Sequence, residues 1–127
     1  MPITLFYAGC LGLLLVLLSY RVIQARHAAG ASFGDGGDKR LQRRIRGQAN
    51  LTEFGPLGLV LLAGLELTGA PLLLLHALGG LFLAGRLLHG WGFGFTDHSV
   101  IGRVGGTALT LTALVLMSVA ALWLAIA

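Results

Sequence analysis

Three stretches of this chain carry no charged side chain: residues 1–20, 67–85 and 104–127. Each is close to or above the roughly 20 apolar residues a helix needs to cross a hydrocarbon core about 30 Å thick. A fourth uncharged stretch, Phe54 to Leu65, is shorter. It attains spanning length only if its helix begins near Ile45 and carries Arg46, Asn50 and Glu53 into the membrane. Only 11% of the residues are charged and 56% are hydrophobic, whereas soluble domains average about 25% charged. A small soluble domain has to cover a large surface with polar groups, so an ordinary water-soluble fold is excluded. The expected architecture is an all-α membrane protein, a four-transmembrane-helix bundle forming a single domain over residues 1–127. Its helices are expected at about 3–24, 38–68, 71–91 and 101–127.

Local signals set these boundaries. Gly34-Asp35-Gly36-Gly37-Asp38 reads as a polar loop, with Asp38 as N-cap of the second helix. Gly69-Ala70-Pro71 reads as a tight turn, with Pro71 entering the third helix. The glycine- and aromatic-rich segment from Gly90 to Ser99 suits an interfacial loop. The N-terminal run lacks a basic leader segment and is long for a cleaved signal, so it is expected to remain as the first helix. Cys10 is the single cysteine, which permits no intrachain disulfide and leaves helix packing to stabilise the fold.

The net charge of +4 does not point to nucleic acid. Six of the nine Lys and Arg residues fall between Arg26 and Arg46, in one inter-helix segment, and this reads as a topology signal. The positive-inside rule then puts both larger loops in the cytoplasm and both termini outside it. Short loops favour a bacterial inner membrane.

The polar residues within the spans are the functional candidates, because ionisable groups at membrane depth are costly. Arg46, Asn50 and Glu53 are spaced four and three apart and fall within an arc of about 60° on a helix, with Arg43 on the same side. A cation, an amide and a carboxylate in one stripe can hold a zwitterionic ligand, arginine taking a carboxylate and Glu53 an ammonium. The same stripe can instead pair with charges on neighbouring helices and hold the bundle together. In the third helix Arg86, His89 and Phe93 share a face; Arg86 suits either neutralising Glu53 or binding an anion. His89 suits an interfacial hydrogen bond better than a base. Glu66, near a helix end, reads as structural or solvated. Arg103 opens the fourth helix, where it can anchor topology or stabilise a thiolate by lowering its pKa. Scattered histidines and one cysteine disfavour a metal site. Gly79, Gly80 and Gly85, with Ala77 and Ala84, permit close helix approach.

At these residues the chain resembles the MAPEG family, the membrane-associated proteins in eicosanoid and glutathione metabolism. The segment Arg46-Gly-Gln48-Ala-Asn50-Leu-Thr-Glu53-Phe54-Gly-Pro56 is similar to that family's R-x-Q-x-N-x-x-E-x-x-P signature, and Gly85-Arg86-Leu-Leu-His89-Gly-Trp-Gly92 supplies a second match. The resemblance implies a homotrimer binding glutathione, as cosubstrate, between subunits near the cytoplasmic side. It implies that Arg46, Gln48, Asn50 and Glu53 hold the tripeptide, that Arg86 and His89 support it, and that Arg103 is the catalytic, thiolate-stabilising arginine. The chain departs from the leukotriene-forming members, which have tyrosines where His89, Phe93 and Phe54 stand here. The implied activity is conjugation of glutathione to lipophilic electrophiles, or reduction of lipid peroxides. A non-catalytic lipid-binding or scaffold trimer of the same fold is the alternative. A small drug exporter fits less well, because the first helix lacks the embedded carboxylate that proton coupling requires.

Overall fold

The computed structural model describes residues 1–127. Four helices follow in order: α1 (Pro2–Ala29), α2 (Lys39–Leu67), α3 (Leu72–Gly94) and α4 (Gly106–Ile126). A π-helical turn over Ile101–Gly105 runs directly into α4. The contacts between named residues fix an up-down-up-down arrangement. Thr4 at the start of α1 meets Glu66 at the end of α2, and Ser19 meets Gln48. Asn50 of α2 meets Arg86 of α3, and Arg86 meets Thr110 of α4. The 30–38 and 95–100 connections therefore lie at one end of the bundle, and both termini lie at the other.

Each helix end has a local cause. α1 does not stop near Gln24. It continues through the helix-favouring Ala28 and Ala29 until Gly30 enters the left-handed region at φ 66° and caps it. Asp38 caps α2 by accepting from the Leu41 amide at 2.7 Å. α2 then runs unbroken through Pro56. α3 extends to Gly94, a turn beyond the expected Trp91, because arginine side chains from other helices hold its last carbonyls.

The core collects one stripe from each helix: Tyr7, Leu11, Leu14 and Leu18 of α1, Leu51, Leu62 and Leu65 of α2, Leu75, Leu78 and Phe82 of α3, and Ala113, Leu114 and Met117 of α4. Large apolar residues such as Leu13, Val16, Leu73 and Ile126 remain on the outside, as a lipid solvent allows. Close approach of α3 and α4 depends on glycine. A Cβ on Gly92 would sit 2.7 Å from the Cα of Gly102, and one on Gly106 would sit 2.5 Å from the His89 amide nitrogen. Gly79 meets the Tyr7 ring and Gly85 meets Thr110, whereas a Cβ on Gly80 would make only an ordinary 3.6 Å contact with the Tyr7 hydroxyl. Ala77 and Ala84 are exposed on the outside of α3.

α1, α3 and the π-turn with α4 are long and apolar enough to cross a membrane. α2 is the exception, being 29 residues long but interrupted by its polar stripe. Glu66 is structural. It accepts from the amides of Ile3 (3.1 Å) and Thr4 (2.8 Å) and from the Thr4 hydroxyl (2.6 Å), so it caps α1 from the far end of α2.

Candidate functional site

The polar stripe of α2 straddles the boundary between the bundle's interior and its outer face. Arg46 and Glu53 turn outward and form a two-pronged ion pair, Nη1–Oε1 at 2.8 Å and Nη2–Oε2 at 3.0 Å. Their side chains are 54% and 48% exposed. The charge that neutralises Glu53 thus comes from its own helix, two turns away, and neither from Arg86 nor from another neighbouring helix. Asn50 turns inward. Its Oδ1 accepts from Arg86 Nη1 at 2.6 Å, and its backbone carbonyl accepts from the same nitrogen at 3.3 Å. Gln48 faces α1, donating to the Ser19 hydroxyl at 2.9 Å.

Arg86 is only 2% exposed. Besides Asn50 it reaches Thr110 Oγ1 through Nε at 2.9 Å, and Thr110 in turn donates to the Gly106 carbonyl. One guanidinium therefore ties α2, α3 and α4 together. The Arg86 guanidinium also lies 5.4 Å from the centre of the Phe54 ring, while its Nη2 is buried without a partner. His89 is buried and stacked on Phe93, with centroids 4.5 Å apart and planes 18° apart. Gly47 allows α2 to approach Phe93, since a Cβ there would fall 2.7 Å from the Phe93 Cβ.

The basic residues at the loop end have work beyond topology. Arg43 Nη2 donates to the Gly92 carbonyl at 2.9 Å and its guanidinium lies over Phe93 at 4.9 Å. Arg44 Nη1 donates to the carbonyls of Phe93 (2.6 Å) and Thr96 (3.0 Å), and Arg21 Nε donates to Gly94 at 2.8 Å. Three arginines from α1 and α2 thereby satisfy the orphan carbonyls of α3, at the negative end of its dipole. Asp97 bridges Arg40 at 3.0 Å and Arg44 at 3.5 Å. The Arg40 hydrogen bond, first among its influences, holds the Asp97 carboxyl below its ordinary pKa. Arg44 counts in the sequence only as part of the basic topology segment, and nothing in the sequence marks Arg21 or Asp97; the one available signal is arginine density beside a glycine-rich helix end.

Between Lys39, Arg40, Arg43, Arg46, Phe93 and Asp97 lies an open basic depression of about 630 Å³. A smaller one of about 160 Å³ adjoins it, sharing Arg43 and His98 and reaching Arg103. Arg103 is exposed in the π-turn and its guanidinium makes no hydrogen bond or ion pair within the chain. The structure thus brings Arg46 and Arg103 to adjoining depressions, joins Glu53 to Arg46, and leaves Gln48, Asn50, Arg86 and His89 packed between helices. An apolar groove of about 350 Å³ runs between α1 and α2, lined by Leu11, Leu15, Leu51, Pro56 and Leu59.

The family model described as the MAPEG family matches residues 4–123, which takes in all four helices and every residue of both depressions. The chain belongs to the MAPEG family. This MAPEG protein is similar to the inner membrane protein YecN of Escherichia coli strain K12, with 37% identity over 122 residues, 95% of this chain and 91% of that one. YecN of the O6:H1 strain of E. coli gives the same figures. No solved structure matches. Membership of a membrane family and three spanning helices make this MAPEG protein an integral membrane protein.

Proposed function

We propose that this MAPEG protein is a membrane glutathione transferase. It conjugates glutathione to lipophilic electrophiles or reduces lipid peroxides, as a homotrimer in a bacterial inner membrane with both termini outside the cytoplasm. The half-exposed Arg46–Glu53 pair carries this reading. An ion pair on the outer face of a helix that must cross lipid is costly unless something polar covers it. A second copy of the chain, with a zwitterionic ligand between the copies, meets that need. The pair is also self-complementary in a useful way: a ligand's carboxylate can replace Glu53 on Arg46 while its ammonium takes Glu53, so no buried charge is left alone. Glutathione carries both groups at its glutamyl end. Asn50, Arg86 and Gln48 position this face by locking α2 to α1, α3 and α4, while His89 packs between Phe93 and the start of α4.

Chemistry then needs the thiolate. Arg103, free of partners within the chain, lowers the thiol pKa through its fixed positive charge, and the thiol proton passes to solvent. In conjugation the thiolate sulfur forms a bond to the electrophilic carbon and the leaving group departs with its electron pair. In peroxide reduction two glutathione molecules are oxidised to the disulfide while the peroxide becomes an alcohol and water. The apolar groove between α1 and α2 can receive the lipophilic partner from the bilayer.

The test uses purified protein with glutathione and a generic aryl halide electrophile, together with mass measurement of the detergent-solubilised assembly. Saturable glutathione binding, turnover above background and a three-chain mass are expected. Absence of both binding and turnover would sink the proposal, and a trimer without turnover would favour the lipid-binding scaffold.

A further inference from the structure

At the loop end of the bundle α1 and α2 enclose a further basic depression, distinct from the two already described, that the proposed reaction does not use. It has a volume of about 230 Å³ and is lined by Arg21, Gln24, Ala25, Ala28, Arg40 and Arg44. Three guanidinium groups converge there, and a single carboxylate, Asp97, pairs with two of them, Arg40 and Arg44. Arg21 spends Nε on the Gly94 carbonyl and Nη1 on Gln24 Oε1. Its Nη2, and the Nε and Nη1 of Arg40, have no acceptor within the chain. The two alanines in the wall leave the α1 side of the depression without bulk.

The depth of this cluster is set by its neighbours. Arg21 is the first charged residue after the uncharged run 1–20. Tyr20, Trp91 and Phe95 are all exposed at the same end of the bundle, and Arg21 lies over the Phe95 ring at 4.8 Å. Exposed tyrosine and tryptophan mark the boundary between hydrocarbon and headgroups. Arginines immediately beyond that boundary stand at the level of lipid phosphates, with stems in the apolar layer and guanidinium groups in the polar one.

We propose that Arg21, Arg40 and Arg44, with Gln24, form a binding site for the phosphodiester of an anionic phospholipid headgroup. Forked guanidinium donors match phosphate oxygens, and the excess of two positive charges over Asp97 favours an anionic lipid over a zwitterionic one. Occupancy neutralises the repulsion among the three arginines and so stabilises the end of α3 that Arg21 and Arg44 hold.

The full-length protein in phosphatidylcholine nanodiscs, with and without phosphatidylglycerol, tests this by native mass spectrometry and thermal unfolding. The wild type is expected to retain phosphatidylglycerol selectively and to unfold at higher temperature with it. Arg21→Gln combined with Arg40→Gln is expected to weaken retention about thirtyfold, about 2 kcal/mol at about 1 kcal/mol per arginine. Arg44 is left in place because it is buried and holds two carbonyls, those of Phe93 and Thr96, whereas Arg21 holds only that of Gly94 and Arg40 holds none. Unfolding of the double variant in phosphatidylcholine alone reads the loss of that one bond separately from lipid retention. Lys39→Gln, a nearby cation outside this depression, is expected to change retention little. Retention unaffected by the double substitution, or weakened as much by Lys39→Gln, would overturn the site. So would an equal shift from inorganic phosphate alone, which would assign it to a free anion.

Discussion

Replacing Asn50 with alanine asks whether the amide inside the bundle serves the fold or the ligand. The substitution removes the 2.6 Å hydrogen bond from Arg86 Nη1 and leaves a second poorly satisfied donor on a guanidinium that already has a buried, unpartnered Nη2. Hydrogen bonds to charged groups contribute about 1.5–3 kcal/mol in protein interiors. Interhelical bonds within membranes average lower, reaching about 1.7 kcal/mol. The site is nearly closed to solvent, so a loss of about 2 kcal/mol is expected. Arg86→Met alone orphans the Asn50 carbonyl oxygen and should cost about 1–2 kcal/mol. The double variant leaves neither orphan, so the two losses should not add, and the coupling energy should be about 1.5 kcal/mol. Equilibrium unfolding in mixed detergent micelles, followed by far-ultraviolet circular dichroism, measures all three. A coupling within about 0.5 kcal/mol of zero would refute the three-helix tie through Arg86, and an Asn50→Ala protein of native stability that cannot bind glutathione would place Asn50 at the ligand.

Three further outcomes follow from the same geometry. Gly106→Ala places a Cβ 2.5 Å from the His89 amide nitrogen, against backbone that cannot give way; a loss of about 1–3 kcal/mol is expected from the same unfolding assay, with a change in any binding that depends on His89. Asp97 titrates below its ordinary value because Arg40 donates to it. Its stabilising contribution is therefore complete above the unfolded-state carboxylate pKa and disappears as pH falls through the lower folded value. Melting temperatures of wild type and Asp97→Asn should differ at neutral pH and converge in acid, and a difference that grows on acidification would contradict the pairing. Arg46→Ala should weaken glutathione binding, measured calorimetrically, at least tenfold if a charge-assisted pair to the ligand is lost.

The sequence made the membrane legible through three uncharged runs, and the odd character of α2 through the rarity of Arg46, Asn50 and Glu53 at membrane depth. It did not reveal that the stripe divides. An arc of about 60° is wide enough to straddle a helix's inner and outer faces, so Asn50 turns toward Arg86 while Arg46 and Glu53 turn away. Nor could spacing within α2 show where its other arginines go. Arg43 and Arg44 meet carbonyls 49 residues distant, and Arg21 reaches one 73 residues away. Such partners are set by helix packing, and a local pattern carries no record of it. The π-turn at Ile101–Gly105 likewise left no trace in composition, although it sets where Arg103 emerges. The position of Glu66 near a helix end fits a structural or a solvated role equally, because its task, capping α1 from the end of α2, depends on the antiparallel pairing of those helices.

The central claim is that the outward face of α2 and Arg103 together bind glutathione and ionise its thiol. The most direct measurement is glutathione-dependent thiolate absorbance of the purified protein in detergent at neutral pH, compared among wild type, Arg46→Ala and Arg103→Ala. The account predicts a saturable thiolate signal in the wild type, a signal in Arg46→Ala that appears only at much higher glutathione, and bound glutathione without the thiolate signal in Arg103→Ala. A wild type that binds glutathione entirely as the thiol, or an Arg103→Ala protein with an undiminished thiolate signal, would contradict it.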